Sequence, residues 1–293
     1  MLTIKLQFGR YKHVVEAHIK GCFDTIDHEW IRRMLAERLD DRALLRLIKK
    51  WLKAGGLDTD GTVRQPATGS PQGGTGSPIL AHGYGHYALD LWFAKVVKRH
   101  CHGEACLIRY ADDAVCACAH REDAERFSTV LGQRLRKCGL ELSGDKTRLL
   151  PVSRHPVAAP TRLEFLGCEF HWGKDRAGKE HRKRRTSRQK LRNSLKRCTA
   201  WCKAHRHLWL HVLFERLHSK LRGYDNSYGV HGNTASLQQV FHSVMRILMP
   251  WLNRRSQRRS DNWHGYKEVR KHFKVERPRI RGRLRAKKVV LMA

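Results

Sequence analysis

The sequence predicts an α+β fold, with hairpin-connected strands and packed helices first and an all-α part after them. Three observations predict it. Strand and helix patterns alternate up to about residue 175. Within that stretch two apolar runs flank a short acidic turn, the pattern of an antiparallel hairpin. Charge then divides the chain in the same way. The 293 residues carry 59 Lys and Arg against 27 Asp and Glu, a net charge of +32. Residues 1–150 hold 24 basic and 18 acidic side chains, a net +6. Residues 151–293 hold 35 and 9, a net +26. One part near balance and one polycationic part suggest two domains, the second facing a polyanion.

Composition excludes several classes. A hydrophobic fraction of 41% is enough to fill a core, unlike a disordered basic tail. No apolar run approaches the roughly 18 residues of a membrane span. The start, MLTIKLQFGRYKH, is charged where a secretory signal would be apolar. A cytoplasmic protein is therefore expected. Nine cysteines at scattered spacing fit free thiols rather than a disulfide framework.

Taken in order, Val14 to Ile19 alternates as a strand, and Trp30–Leu39 and Ala43–Leu52 carry helical periodicity. Residues 56–76 are rich in Gly, Pro, Thr and Ser and read as loop. A helix is expected from Ser77, with Pro78 in its first turn, to about His100. Gly83 and Gly85 lie inside it, each costing about 1 kcal/mol relative to Ala. Ala105–Tyr110 and Ala114–Cys118 are the two arms of the hairpin around Asp112-Asp113. Glu122–Cys138 is an amphipathic helix closed by Gly139. Leu149–Val152 and Leu163–Trp172 read as short strands. A basic run covers Lys179–Arg192, and helices are expected near 187–205, 208–222, 234–256 and 264–273. Pro250 is expected to kink or break the third. A basic tail, Arg277–Lys288, follows.

Asp112-Asp113 carries the first chemical signal. Adjacent carboxylates repel, so a fold that holds them together usually supplies a cation, and hard oxygen ligands suit Mg²⁺. As a bare dipeptide it also fits an ordinary polar turn. Its neighbours argue otherwise. In order along the chain stand Ile19-Lys20-Gly21-Cys22-Phe23-Asp24, Ser70-Pro71-Gln72-Gly73-Gly74, Ser77-Pro78-Ile79-Leu80-Ala81, Tyr110-Ala111-Asp112-Asp113, Leu140 to Arg148 and Phe165-Leu166-Gly167. This series resembles the reverse transcriptase/maturase encoded by group II introns. Leu221 to Gly229 and Trp251 to Ser256 are similar to the same family's thumb and maturase segment, so the resemblance covers about 14–280.

The resemblance implies a reverse-transcriptase palm over 1–175, an antiparallel sheet with packed helices. It implies an all-α thumb and RNA-binding maturase region over 176–293. It makes Asp112 and Asp113 two of three polymerase carboxylates that bind Mg²⁺. Ile19, Lys20, Gly21 and Cys22 would lie by the triphosphate, and Phe23 would screen the 2′-position of the incoming dNTP. Gln72, Gly73 and Gly74 would form the loop against the nascent base pair, and Tyr110 would pack by the primer end or the palm. Lys146 would reach a phosphate or form a structural ion pair. Leu166 and Gly167 would grip the primer strand or simply close a core hairpin. The implied partners are group II intron RNA, an RNA template with a DNA primer, and dNTPs. Trp201, Trp209, Trp251 and Trp263 are read as core or as stacking platforms. Cys198, Cys202, His205 and His207 share a helix in no zinc-binding spacing, and read as small buried hydrophobes and polar neighbours.

The sequence departs from the family at one chemical position. His18 stands where the pattern has its first aspartate, the ligand that bridges both ions. Imidazole offers one nitrogen and no negative charge, and suits transition metals better than Mg²⁺. The matched segments begin close to the N-terminus, so the family's fingers region is expected to be missing. Three readings follow: a polymerase impaired at His18, an RNA-binding maturase with a silent polymerase site, or a remnant with neither activity.

Overall fold

A computed structural model describes residues 11–54, 56–57, 63–64, 68–69, 76–152, 163–174, 177–178, 180–255 and 262–281. The chain divides into two compact units, Thr3–Leu163 and Glu164–Ala293. The strands on either side of residue 175, Cys168–Lys174 and Glu180–Thr186, pair with each other and both fall in the second unit.

The first unit is built on β1 (His13–Lys20), β4 (Ala105–Tyr110), β5 (Asp113–Cys118), β6 (Glu141–Leu142) and β7 (Arg148–Pro151). A two-residue pair, β2 (Gly56–Leu57) and β3 (Val63–Arg64), stands apart. The sheet runs β4-β5-β1-β6, with β7 also on β1, and its pairings are antiparallel. Side chains alternate across a strand. Val15, Ala17 and Ile19 of β1 therefore join Ala114, Cys116 and Cys118 on one face. Helices α1 (His28–Ala36), α2 (Arg42–Ala54), α3 (Ser77–Gly85) and α5 (Arg121–Lys137) cover that face, while the short α4 (Lys98–His100) buries no side chain. Ile31, Tyr84, Phe127, Leu131 and Leu135 fill the core between. At roughly 25 cal/mol per Å² of apolar surface, such large side chains carry most of the unit's stabilisation.

Local signals explain the helix ends. Asp27 caps α1 by accepting the N–H groups of Glu29 and Trp30, so the helix starts two residues before the expected Trp30. Gly139, at φ 68°, closes α5 as anticipated. Ser77 to His100 is continuous, but two π-helical turns, His86–Asp90 and Phe93–Val97, interrupt its α geometry. Asp123 anchors the loop before β4. Burial alone would raise its pKa, but the N–H groups of His102 and Gly103 and the Arg126 guanidinium hold it below the usual carboxylate range. A carboxylate lowered on folding adds stability above its unfolded pKa, and that stability is lost on acidification.

The second unit pairs a three-stranded sheet, β8 (Leu163–Phe165), β9 (Cys168–Lys174) and β10 (Glu180–Thr186), with four helices. These are α6 (Arg188–His205), α7 (Leu210–Tyr228), α8 (Thr234–Asn253) and α9 (Trp263–His272). Leu213, Phe214, Leu217, Phe241, Met245, Leu248 and Tyr266 form its core. Cys202 lies in that core and Cys198 packs against it. The basic run at Lys179–Arg192 supplies β10, which the sequence did not assign, and the start of α6, the helix expected from about 187. Arg184 of that strand is buried, donates from Nε to the His231 carbonyl at 2.7 Å, and is pushed below the usual arginine pKa by burial.

Pro250 does not break α8, which continues to Asn253. It sits exposed in the last turn, with only Trp251, Leu252 and Asn253 following it in the helix. Helix α7 passes Leu221 and reaches Tyr228, further than expected. Its end is tied down by Gly229, whose N–H donates to the Asp225 carbonyl at 2.6 Å and whose carbonyl accepts from Arg281 N–H at 2.9 Å. The Asp225 carboxylate accepts the Arg279 N–H at 3.2 Å, and burial raises its pKa. A Cβ at Gly229 would strike the backbone oxygens of Asp225 and Arg279. Gly229→Ala is therefore expected to cost about 2–3 kcal/mol. Urea unfolding checks this, and an unchanged midpoint would contradict it.

Candidate active site

The face of the sheet away from the core carries the chemistry. Because Val15, Ala17 and Ile19 point inward, His18 points outward. The register sets His18 opposite Asp113. The Ile19 N–H donates to the Asp112 carbonyl at 2.9 Å, and Ser143 N–H donates to the His18 carbonyl at 2.8 Å. The hairpin turn between β4 and β5 places Ala111 at φ 53°, a left-handed conformation uncommon for alanine. Such strain persists where the surroundings enforce it.

Arg109 does the enforcing. Its buried guanidinium grips Asp90 with two hydrogen bonds, Nε to Oδ1 at 2.8 Å and Nη2 to Oδ2 at 2.7 Å. It also donates to the carbonyls of Ala111 (3.3 Å) and His82 (3.2 Å). The turn that bears both aspartates is thus fastened to the long helix at its first π-helical turn. Gly85 makes room for this clamp, since a Cβ there would lie 2.6 Å from Arg109 Nη1.

His18, Asp112 and Asp113 meet in one cluster whose donor atoms lie within 4.8 Å of one another. His18 Nδ1 is 2.8 Å from Asp113 Oδ1, and His18 Nε2 is 3.5 Å from Asp112 Oδ2. Lys146, in a single 3₁₀ turn after β6, brings Nζ to 3.4 Å from His18 Nε2. The cluster is half-exposed, so a ligand can reach it.

The other residues singled out by sequence are distributed as follows. Ile19 is buried and its N–H donates to the Asp112 carbonyl, which makes it a strut under the turn. Lys20 and Gly21 are exposed at the end of β1. Gly21 turns the chain at φ 55° and accepts the N–H groups of Asp24 (2.8 Å) and Thr25 (3.0 Å). Cys22 is buried, and burial, then the Asp112 charge, raises its thiol pKa. Phe23 packs against the core edge, whereas Tyr110 stands 64% exposed at the hairpin tip. Gln72, Gly73 and Gly74 lie outside the described residues. Leu166 (φ 51°) and Gly167 (φ 72°) form the β8–β9 turn in the second unit, where Gly167 lies against Lys190 and Tyr228. Sequence reasoning missed Arg109 and Asp90, although Arg109 adjoins the acidic motif.

Residues 3–170 match the reverse transcriptase (RNA-dependent DNA polymerase) family. The chain belongs to that family. The chain is 43% identical over 84 residues to the group II intron-encoded protein LtrA of Lactococcus lactis subsp. cremoris. That alignment covers 29% of this chain and 14% of LtrA. It is 38% identical over 79 residues to a putative COX1/OXI3 intron 1 protein of Saccharomyces cerevisiae, 27% of this chain and 10% of that protein. The chain therefore spans a small fraction of the relatives it matches. A telomerase structure from Candida albicans aligns over 93% of this chain and 49% of its own, with 13% identity and a TM-score of 0.43. Among the described residues no helix is long and apolar enough to cross a membrane.

Proposed function

We propose that this chain is an intron-encoded reverse transcriptase/maturase of the group II type, with a weakened polymerase site and a retained RNA-binding surface. The observation that carries the reading is the cluster of Asp112 and Asp113 with His18, where the family pattern has a third aspartate. The likeness to intron-encoded proteins of bacterial and yeast origin supports the intron class. In this reading 1–175 is the palm and 176–293 the thumb and maturase region, working in the cytoplasm on intron RNA, a template with its primer, and dNTPs. Asp112 and Asp113 are the carboxylates of the site that would hold a divalent cation, which when bound would supply activation of a 3′-hydroxyl and stabilisation of the leaving pyrophosphate. Two carboxylates suit a single dication better than a pair, and the imidazole beside them adds a nitrogen donor without negative charge. Lys20 and Lys146 attract the triphosphate, and exposed Tyr110 meets the primer end.

The second unit favours RNA binding as the function kept intact. Arg188, Lys190, Arg192, Lys196, Arg197 and Lys203 are exposed along α6. Trp209 and Trp263 are 77% and 51% exposed, open to base stacking, whereas Trp201 and Trp251 pack against the core. Arg206 and Arg254 lie over the Trp251 ring. RNA affinity is expected to fall steeply with salt, with a log–log slope of about −3.5 or steeper if five or more phosphates are neutralised. Filter binding across a KCl series measures the slope. A nearly flat dependence would overturn the RNA-binding half of the reading.

A further inference from the structure

We infer that the cluster holds a single borderline divalent ion of the Mn²⁺ class between His18 and Asp112, with Asp113 as its positioning residue, rather than a pair of Mg²⁺ ions. This rests on reading the hairpin tip as the polymerase site and specifies which ion that site takes.

The donor set argues for it first. Mg²⁺ takes six oxygen donors in near-octahedral geometry and sheds water reluctantly. Here the third side chain offers nitrogen, which suits borderline transition ions. Charge argues in the same direction. Two dications close together need strong negative compensation, and the cluster supplies two carboxylates while the Lys146 ammonium stands 3.4 Å from His18 Nε2.

Geometry then assigns the roles. At 2.8 Å, His18 Nδ1–H donates to Asp113 Oδ1, which fixes the tautomer and leaves the Nε2 lone pair as the acceptor that faces Lys146 Nζ at 3.4 Å. That lone pair lies 3.5 Å from Asp112 Oδ2. Two donors each about 2.1–2.2 Å from one ion lie roughly 3.0–3.6 Å apart, so one ion bridges this gap. Asp113, His18 and the ion then form a carboxylate–histidine–metal series, in which the carboxylate orients the ring. The Lys146 ammonium lies against the same lone pair and competes with the ion.

The test is Mn²⁺ binding to the full chain, read as loss of the free-ion signal in electron paramagnetic resonance, with Mg²⁺ as competitor. One Mn²⁺ per chain is expected, displaced by Mg²⁺ only in large excess. Asp113→Asn should weaken Mn²⁺ about tenfold, and His18→Asp should shrink the preference for Mn²⁺ over Mg²⁺ by a similar factor. Lys146→Ala, at an exposed position, should tighten Mn²⁺ binding. Two Mg²⁺ bound as tightly as Mn²⁺, or a preference unchanged in His18→Asp, would overturn the inference and leave the site reading intact. Mn²⁺ binding that is absent, or indifferent to Asp112→Ala, would sink both.

Discussion

In Mg²⁺, the His18→Asp variant is expected to extend a primer on an RNA template about a hundredfold faster than the unsubstituted chain. Two decades correspond to about 2.7 kcal/mol of transition-state stabilisation, within what one correctly placed metal contact contributes. The backbone at this position is already held from both sides, through Asp113 in the register and Ser143 at the carbonyl. A carboxylate placed there would face Asp112 and Asp113 on the outer surface of the sheet, where hydrated cations and dNTPs have access. Lys146, relieved of the imidazole, would still offset some of the added negative charge. Single-turnover extension in the two proteins measures the ratio. Equal rates would show that His18 is not what limits synthesis.

Replacing Arg109 by alanine is expected to destabilise the first unit by about 2–3 kcal/mol. Breaking a buried ion pair by removing one partner costs about 3–5 kcal/mol. Asp90 is 31% exposed, so water recovers part of that. The carbonyls of Ala111 and His82 also lose a donor. At roughly 2–4 °C per kcal/mol for a unit of this size, the melting temperature should drop by about 4–12 °C. Replacing Asp90 and Arg109 together should cost less than the sum of the single changes, because each single change strands the other group. A loss below about 0.5 kcal/mol would show that the clamp is dispensable. The variant also frees the Ala111 turn, so metal binding at Asp112 should weaken with stability.

The parts legible in the sequence are those written in local pattern. The alternation of Val14 to Ile19 marks β1, the apolar arms around Asp112-Asp113 mark the hairpin, and Gly139 marks the end of α5. The period of two even fixes which face His18 takes once Val15 and Ala17 are known to be buried. What stayed hidden depends on partners far along the chain. Nothing near Asp90 announces that Arg109 grips it, and Gly85 looks like a plain cost until the guanidinium it accommodates is in place. The role of Ile19 as a strut follows from a bond to Asp112, more than ninety residues away. Strand β10 was obscured by its basic composition, since Arg and Lys carry little strand signal of their own. The two π-helical turns likewise follow from packing that no short window of sequence displays.

The most direct test of the altered site is Mg²⁺-dependent DNA synthesis by the unsubstituted full chain on a primed RNA template. The comparison is with a variant that carries both Asp112→Ala and Asp113→Ala. The predicted result is product close to the level of that variant, since the chain already lacks the third carboxylate. Abundant product from the unsubstituted chain, abolished in the variant, would contradict the account: His18 would then serve the site as well as the aspartate it replaces.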